Sequence, residues 1–118
     1  MAKDFGFGAG LRLREAGGFA AVFAHRRVLR GALFDLHYRP NGGASARIGL
    51  VIAKKLARRA VWRNAIKRVG RESFRLARPG LPAMDILLRL AKPVSADSAE
   101  ARNAWRGDIA ALMGRLPR

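Results

Sequence analysis

The chain has no cysteine among its 118 residues. That excludes a disulfide framework, a thiolate nucleophile and a cysteine-ligated zinc site, and it suits a reducing compartment. Carboxylates are scarce, with 8 Asp and Glu, and there are 2 histidines. A protein nuclease generally needs clustered carboxylates for metal ions or a histidine acid and base, so few such arrangements are open here. Long apolar runs are also missing. The best of them, Ile48 to Ala53, is far too short to span a bilayer, and Asp4, Arg12, Arg14 and Glu15 interrupt the N-terminal stretch. No membrane partner is expected, and the location is expected to be cytoplasmic.

Positive charge is what the chain has in excess. Lys and Arg number 24, the formal net charge is +16 and the sequence pI is about 12.0. Such a surplus repels itself and opposes compaction, so a polyanionic partner is the natural way to neutralise it. RNA, DNA and an anionic membrane surface are the candidates. Arginine far outnumbers lysine, which suits forked contacts to phosphate and stacking on exposed bases.

The length fits one domain with a modest core. Residues 1–10 are glycine-rich without a strong period and read as a flexible N-terminal arm, with residues 11–118 as the domain. Gly6, Gly8 and Gly10 follow no strand and lack a Gly-Lys-Ser/Thr ending, so they do not make a phosphate loop. Phe19, Val22 and Phe23 recur at helical spacing within a short helix over about 15–24. Residues 32–39 alternate, with Phe34, Leu36 and Tyr38 on one face and Asp35, His37 and Arg39 on the other, as in a half-exposed strand. Pro40-Asn41-Gly42-Gly43 is a turn signal, and Arg47 to Ala53 is expected to return as a buried strand antiparallel to the first. A long helix over about 59–77 ends at Pro79, Gly80 and Pro82. Met84 to Leu90 reads as a strand. The last helix is expected to start near Asp97, with Glu100 completing a capping box and Ala101, Ala104, Trp105, Ile109 and Leu112 as its apolar stripe. The pattern is that of one α+β domain.

The long helix separates into two faces. Val61, Trp62, Ala65, Ile66, Val69, Ser73, Leu76 and Ala77 share one arc and are expected to pack on a sheet. Arg63, Asn64, Lys67, Arg68, Arg71, Arg75 and Arg78 share the other. Phe74 falls on the polar side, where it could stack on a base or cover a loop. A charged helix face is usually a solvated surface, but such faces normally mix signs. Here Arg63, Lys67, Arg71 and Arg75 succeed one another at i, i+4 with no acid between them, which costs stability unless an anion lies there. Lys54, Lys55, Arg58 and Arg59 stand at the entrance, where the positive helix terminus adds to the same field. The modest apolar face is needed for the core, which favours nucleic acid over a membrane. Asn64 could bond a base edge, a phosphate or a metal-bound water, or serve as a plain surface amide.

Arg47-Ile-Gly-Leu-Val-Ile-Ala-Lys-Lys55, Arg58-Arg59-Ala60, Arg63-Asn64-Ala65-Ile66-Lys67-Arg68 and Arg71-Glu72-Ser73-Phe74-Arg75 together resemble the signature of the bacterial ribonuclease P protein component. Leu81-Pro-Ala-Met-Asp85 and Ala91-Lys-Pro93 extend the likeness, which covers roughly residues 11–116. It implies a single-domain α/β sandwich like ribosomal protein S5 domain 2, in the order helix, strands, basic helix, strand, helix. The sheet would be mixed, with one further short strand and a left-handed crossover against the usual right-handed rule. It also implies a protein subunit that binds a catalytic RNA and helps it remove the 5′ leader of precursor tRNA, with magnesium held mainly by the RNA. Arg63, Asn64, Lys67, Arg68 and Arg71 would bind RNA. Phe19 and Phe23, with Phe34 and Leu36 of the sheet, would line a leader cleft closed by one edge of the basic helix. Where the family usually has Arg-Asn-Arg, this chain has Arg63-Asn64-Ala65, which puts one RNA contact in doubt.

No catalytic or metal-binding residue is expected in this chain. Asp35 and His37 on one strand face, with Asp85 on another strand, form the best constellation, but surface residues of a half-exposed strand explain them better. The alternative reading is a general RNA-binding or ribosomal protein with no processing role.

Overall fold

The strand that is apolar on both faces takes the interior of the sheet. In Met84-Asp-Ile-Leu-Leu-Arg-Leu90 every residue but Arg89 is buried, the pattern of a strand covered on both sides. A computed structural model describes residues 15–43 and 45–117, so the proposed arm over 1–10 lies outside the described residues. Its elements are α1 (Glu15–His25), β1 (Val28–Arg30), β2 (Phe34–Pro40), β3 (Arg47–Val51), α2 (Ala60–Ala77), β4 (Met84–Leu90) and α3 (Ala99–Gly114). A short 3-10 turn, Arg78–Gly80, follows α2 with Pro79 inside it. This is an α+β fold with a mixed four-stranded sheet in the order β1-β2-β4-β3.

β2 pairs antiparallel with both β1 and β4, while β3 pairs parallel with β4. The expected β2–β3 hairpin does not form, because β4 inserts between the two strands. The turn signal at 40–43 reverses the chain, with Gly42 at φ 65, but it does not make the flanking strands neighbours. The additional short strand is present as β1.

Two helices cover one sheet face. Phe34, Leu36, Ile48, Ile86, Leu88 and Leu90 meet Ile66, Val69 and Phe74 of α2 and Trp105, Ile109 and Leu112 of α3 in the main core. α2 has no side-chain cap at Arg59 and no acid in its first turn, so its stability comes from this packing. At Gly70 it approaches the sheet so closely that a Cβ would come within 2.9 Å of Leu50 Cδ2 and 3.2 Å of Leu88 Cδ2. α3 is capped by Ser98, whose Oγ accepts from the Ala101 N–H at 3.1 Å. Asp97 stands one residue too early for that role and receives the Arg102 guanidinium instead. In the expected stripe of α3, Ala104 is exposed and Met113 is buried.

Asp108 of α3 ties the helix to the β1–β2 connection. Its carboxylate accepts from the backbone N–H groups of Ala32, Leu33 and Phe34 at 2.8, 2.9 and 2.9 Å. Gly31 makes room for it, since a Cβ there would lie 2.6 Å from Asp108 Oδ1. Asp108→Ala strips three donors of their acceptor and is expected to cost about 2 kcal/mol. Urea denaturation reads this directly, and an unchanged midpoint would show that water replaces the carboxylate without loss.

Candidate nucleic-acid interface

The turn between β3 and α2 tucks in its small and apolar residues and turns its cations out. Leu56 and Ala57 donate to the Ala53 carbonyl at 3.0 and 3.1 Å, and Leu56 O accepts from the Val94 N–H at 2.7 Å. Ala57 is fully buried, while Lys54, Lys55, Arg58 and Arg59 are exposed. Arg63 is half-buried and donates through Nη1 to the carbonyls of Ala57 at 2.8 Å and Arg58 at 3.0 Å. It therefore braces the turn. Arg59 places its guanidinium 5.8 Å from the Trp62 ring centroid, within cation–π range.

Further along α2, Asn64, Arg68 and Arg75 are exposed, with Lys67 and Arg71 half-buried on the flank. Arg75 pairs with Glu72, the one acid of the helix. Among the described residues, Lys54, Lys55, Arg58, Lys67 and Arg68 have no ion-pair partner. Ala65 is buried, as expected of its arc. Phe74 is fully buried in the core and is neither a stacking surface nor a loop cover. Val61 and Leu76, expected inside, are 51% and 69% exposed. The buried arc centres on Ile66, Val69 and Gly70, so these two apolar residues sit off it, near the two ends of the helix.

The aromatic pair of α1 lies on the opposite sheet face. There the register makes three rows across the strands: Arg30-Asp35-Arg89, then Val28-His37-Leu87-Gly49, then Arg39-Asp85-Arg47. α1 rests on the middle row. A Cβ at Gly49 would meet Phe19 Cε1 at 2.6 Å, Val22 packs with Leu87, and Phe23 meets the His37 ring edge-on at 4.7 Å between centroids. Phe19 is half-buried and Phe23 is 39% exposed, so both reach this face. Phe34 and Leu36 do not. They are fully buried beneath α2 and α3, because side chains alternate along a strand, and they belong to the core rather than to a cleft. α2 packs on the other face of the sheet, so the surface around Phe19 and Phe23 is built by α1 and the strands.

The sequence profile of the Ribonuclease P family matches residues 7–115. The chain belongs to the ribonuclease P protein family. It is 52% identical over 106 residues to the ribonuclease P protein component of an Azoarcus species, covering 90% of this chain and 86% of that one. It is 47% identical to that of Aromatoleum aromaticum, covering 89% and 86%. Among solved structures, the RNase P protein of Thermotoga maritima is 27% identical with a TM-score of 0.73, covering 91% of this chain and 98% of that one. The RNase P protein of Staphylococcus aureus shares the fold at 22% identity and a TM-score of 0.77, covering 88% and 93%.

Members of the ribonuclease P protein family are subunits of a ribonucleoprotein endoribonuclease, and in this chain Asp35, Asp85 and Asp108 are engaged in holding the fold. Asp35 sits between Arg30 and Arg89, and Asp85 between Arg47 and Arg39. They stand in separate rows, so Asp35, His37 and Asp85 do not converge. Among the described residues no three His, Asp or Glu side chains are grouped to hold a metal ion. Burial pushes His37 below its ordinary value against the opposing pull of Asp35, with Arg89 and Arg30 adding to the fall. The middle row is therefore neutral at pH 7.

Burial alone would raise Asp85, but hydrogen bonds from Arg47 and Asn41 and the charges of Arg47 and Arg39 outweigh it and hold the carboxyl below its ordinary range. A depressed carboxyl stabilises the fold above its unfolded pKa, and that contribution is lost as pH falls through the lower folded value. Asp85→Asn is expected to cost about 2 kcal/mol at neutral pH. The gap between wild type and variant should shrink below about pH 4. A gap that persists unchanged into acid would mean that Asp85 contributes by shape rather than by charge.

Proposed function

We propose that this chain works as the protein subunit of ribonuclease P by binding RNA on two faces. The exposed cations of α2 and its entrance would hold the catalytic RNA, through Lys54, Lys55, Arg58, Asn64, Lys67 and Arg68, with Arg59, Arg71 and Arg75 beside them. Arg63 would contribute from a position already fixed by the turn. The α1 face, with Phe19 and Phe23, would receive the single-stranded 5′ leader of precursor tRNA. The observation that carries this reading is the unbalanced charge of α2 and its entrance: among the described residues Lys54, Lys55, Arg58, Lys67 and Arg68 have no ion-pair partner, and a polyanion would offset their mutual repulsion. Cleavage would fall to the RNA, which would hold the magnesium ions, since Asp35, Asp85 and Asp108 are spent on arginines and backbone N–H groups.

Reconstitution tests the whole reading. The protein alone should leave precursor tRNA intact, and addition of the catalytic RNA should restore 5′ cleavage at moderate magnesium. The complex should bind leader-bearing tRNA more tightly than leaderless tRNA; equal binding would favour a general RNA-binding role. On the α2 face, Arg68→Glu should weaken binding to the catalytic RNA and reduce its logarithmic salt slope by about 0.7 to 0.9 for each phosphate that is no longer neutralised. A slope that does not move would leave α2 a solvated surface.

A further inference from the structure

α2 packs on the far side of the sheet, and the α1 face carries cations of its own that could neutralise the phosphates of a nucleic acid bound there. Its cations are arranged in an uncommon way. Each outer row sets two guanidiniums against one carboxylate, which leaves a surplus positive charge on either flank of α1.

Within each row the two arginines are not equivalent. Arg47 grips Asp85 through Nε to Oδ1 and Nη2 to Oδ2, both at 2.9 Å, and Asn41 Nδ2 adds a third bond to Oδ1 at 2.9 Å. Arg39 stands back, with Nη2 3.9 Å from Oδ2 and its buried Nε without a hydrogen-bond partner among the described residues. In the other row Arg30 Nη1 donates to Asp35 Oδ2 at 3.1 Å, while Arg89 Nη1 stays 3.8 Å away. Those longer distances allow attraction without a hydrogen bond. Arg39 and Arg89 thus keep their donor forks largely unspent, each steadied by a carboxylate already satisfied by a different arginine. Their side chains are 37% and 49% exposed. Asp85 and Arg89 mark the two rows on β4, about 13 Å apart along the strand.

We propose that Arg39 and Arg89 are phosphate-binding residues for single-stranded RNA on the α1 face, one on each flank of the helix that carries Phe19 and Phe23. This rests on the leader reading above and specifies where on that face the backbone charge is met. Asp35 and Asp85 act as positioning residues that hold the surplus guanidinium upright and turn the excess charge outward.

The test uses the reconstituted complex with Arg39→Gln, Arg89→Gln and the charge-retaining Arg89→Lys. Each Gln variant should weaken leader-bearing tRNA by about tenfold. It should also shallow the salt slope by about 0.7. Leaderless tRNA should be unaffected, and Arg89→Lys should recover the slope. A purely structural role would lower the urea midpoint and weaken both RNAs alike, and that outcome overturns the proposal. If wild type itself does not distinguish the two tRNAs, the leader reading fails, and the protein alone with a short single-stranded RNA oligonucleotide decides between them. A reduced slope in both Gln variants there supports the phosphate sites, and an unchanged slope overturns them.

Discussion

The sheet depends on one buried carboxylate. Asp85, whose side chain is 1% exposed, gathers Arg47 from β3, Arg39 from β2 and Asn41 from the loop that joins them. β3 is a five-residue edge strand reached through a glycine-rich loop and held by parallel pairing to β4. Parallel pairs are slightly weaker per residue than antiparallel ones. A bidentate arginine at the first register position of that pair compensates, and it pins the register, because a slip of one residue would turn Arg47 into the core. Asp35 and Asp108 work in the same manner, the first across β1, β2 and β4, the second between α3 and the β1–β2 connection.

Scarcity of acids explains why Asp35, Asp85 and Asp108 are used so fully. With 8 carboxylates against 24 cations, charge cannot be balanced pair by pair. The fold instead concentrates carboxylates where one of them satisfies several donors, and leaves the remaining cations at the surface. Those cations are therefore not a uniform coat. Arg63 serves backbone carbonyls, Arg59 lies on Trp62, Arg75 meets Glu72 and Arg47 meets Asp85, whereas Lys54, Lys55, Arg58, Lys67 and Arg68 are uncommitted among the described residues. Composition announces a polyanion partner, but only the structure separates cations that build the protein from cations offered to a ligand.

Local pattern is enough to find α2 and β4, because an 18-residue amphipathic helix and an apolar strand bounded by prolines carry their own signals. It fails wherever a distant segment decides the outcome. The hairpin expected of β2 and β3 yields to β4, which no short-range turn rule can see, although the burial of β4 on both faces marks it as an interior strand. Phe74 departs from the helical wheel because the helix's true inward direction is set at Gly70, a residue whose value lies in having no side chain. A cleft role for Phe34 and Leu36 rests on family likeness alone, while their alternation with Asp35 and His37 already assigns the two faces. The arginine rows need the strand register, which no local pattern carries.

A sheet with cations on both sides has a consequence for RNA that a single basic patch does not. Two strands bound to one face repel each other across a few ångströms of water, and each weakens the other's binding. With α2 over one face and the arginine rows on the other, the proposed reading sets the sheet and α2 between two RNA segments. The separation, roughly 15 Å for one helix-to-sheet layer of about 10 Å and the radius of α2, exceeds the Debye length near 8 Å at physiological salt. Under the proposed reading, occupancy of the α2 face therefore adds little electrostatic penalty at the α1 face. On that reading the protein would remain bound to its catalytic RNA while precursor leaders arrive and depart on the other side.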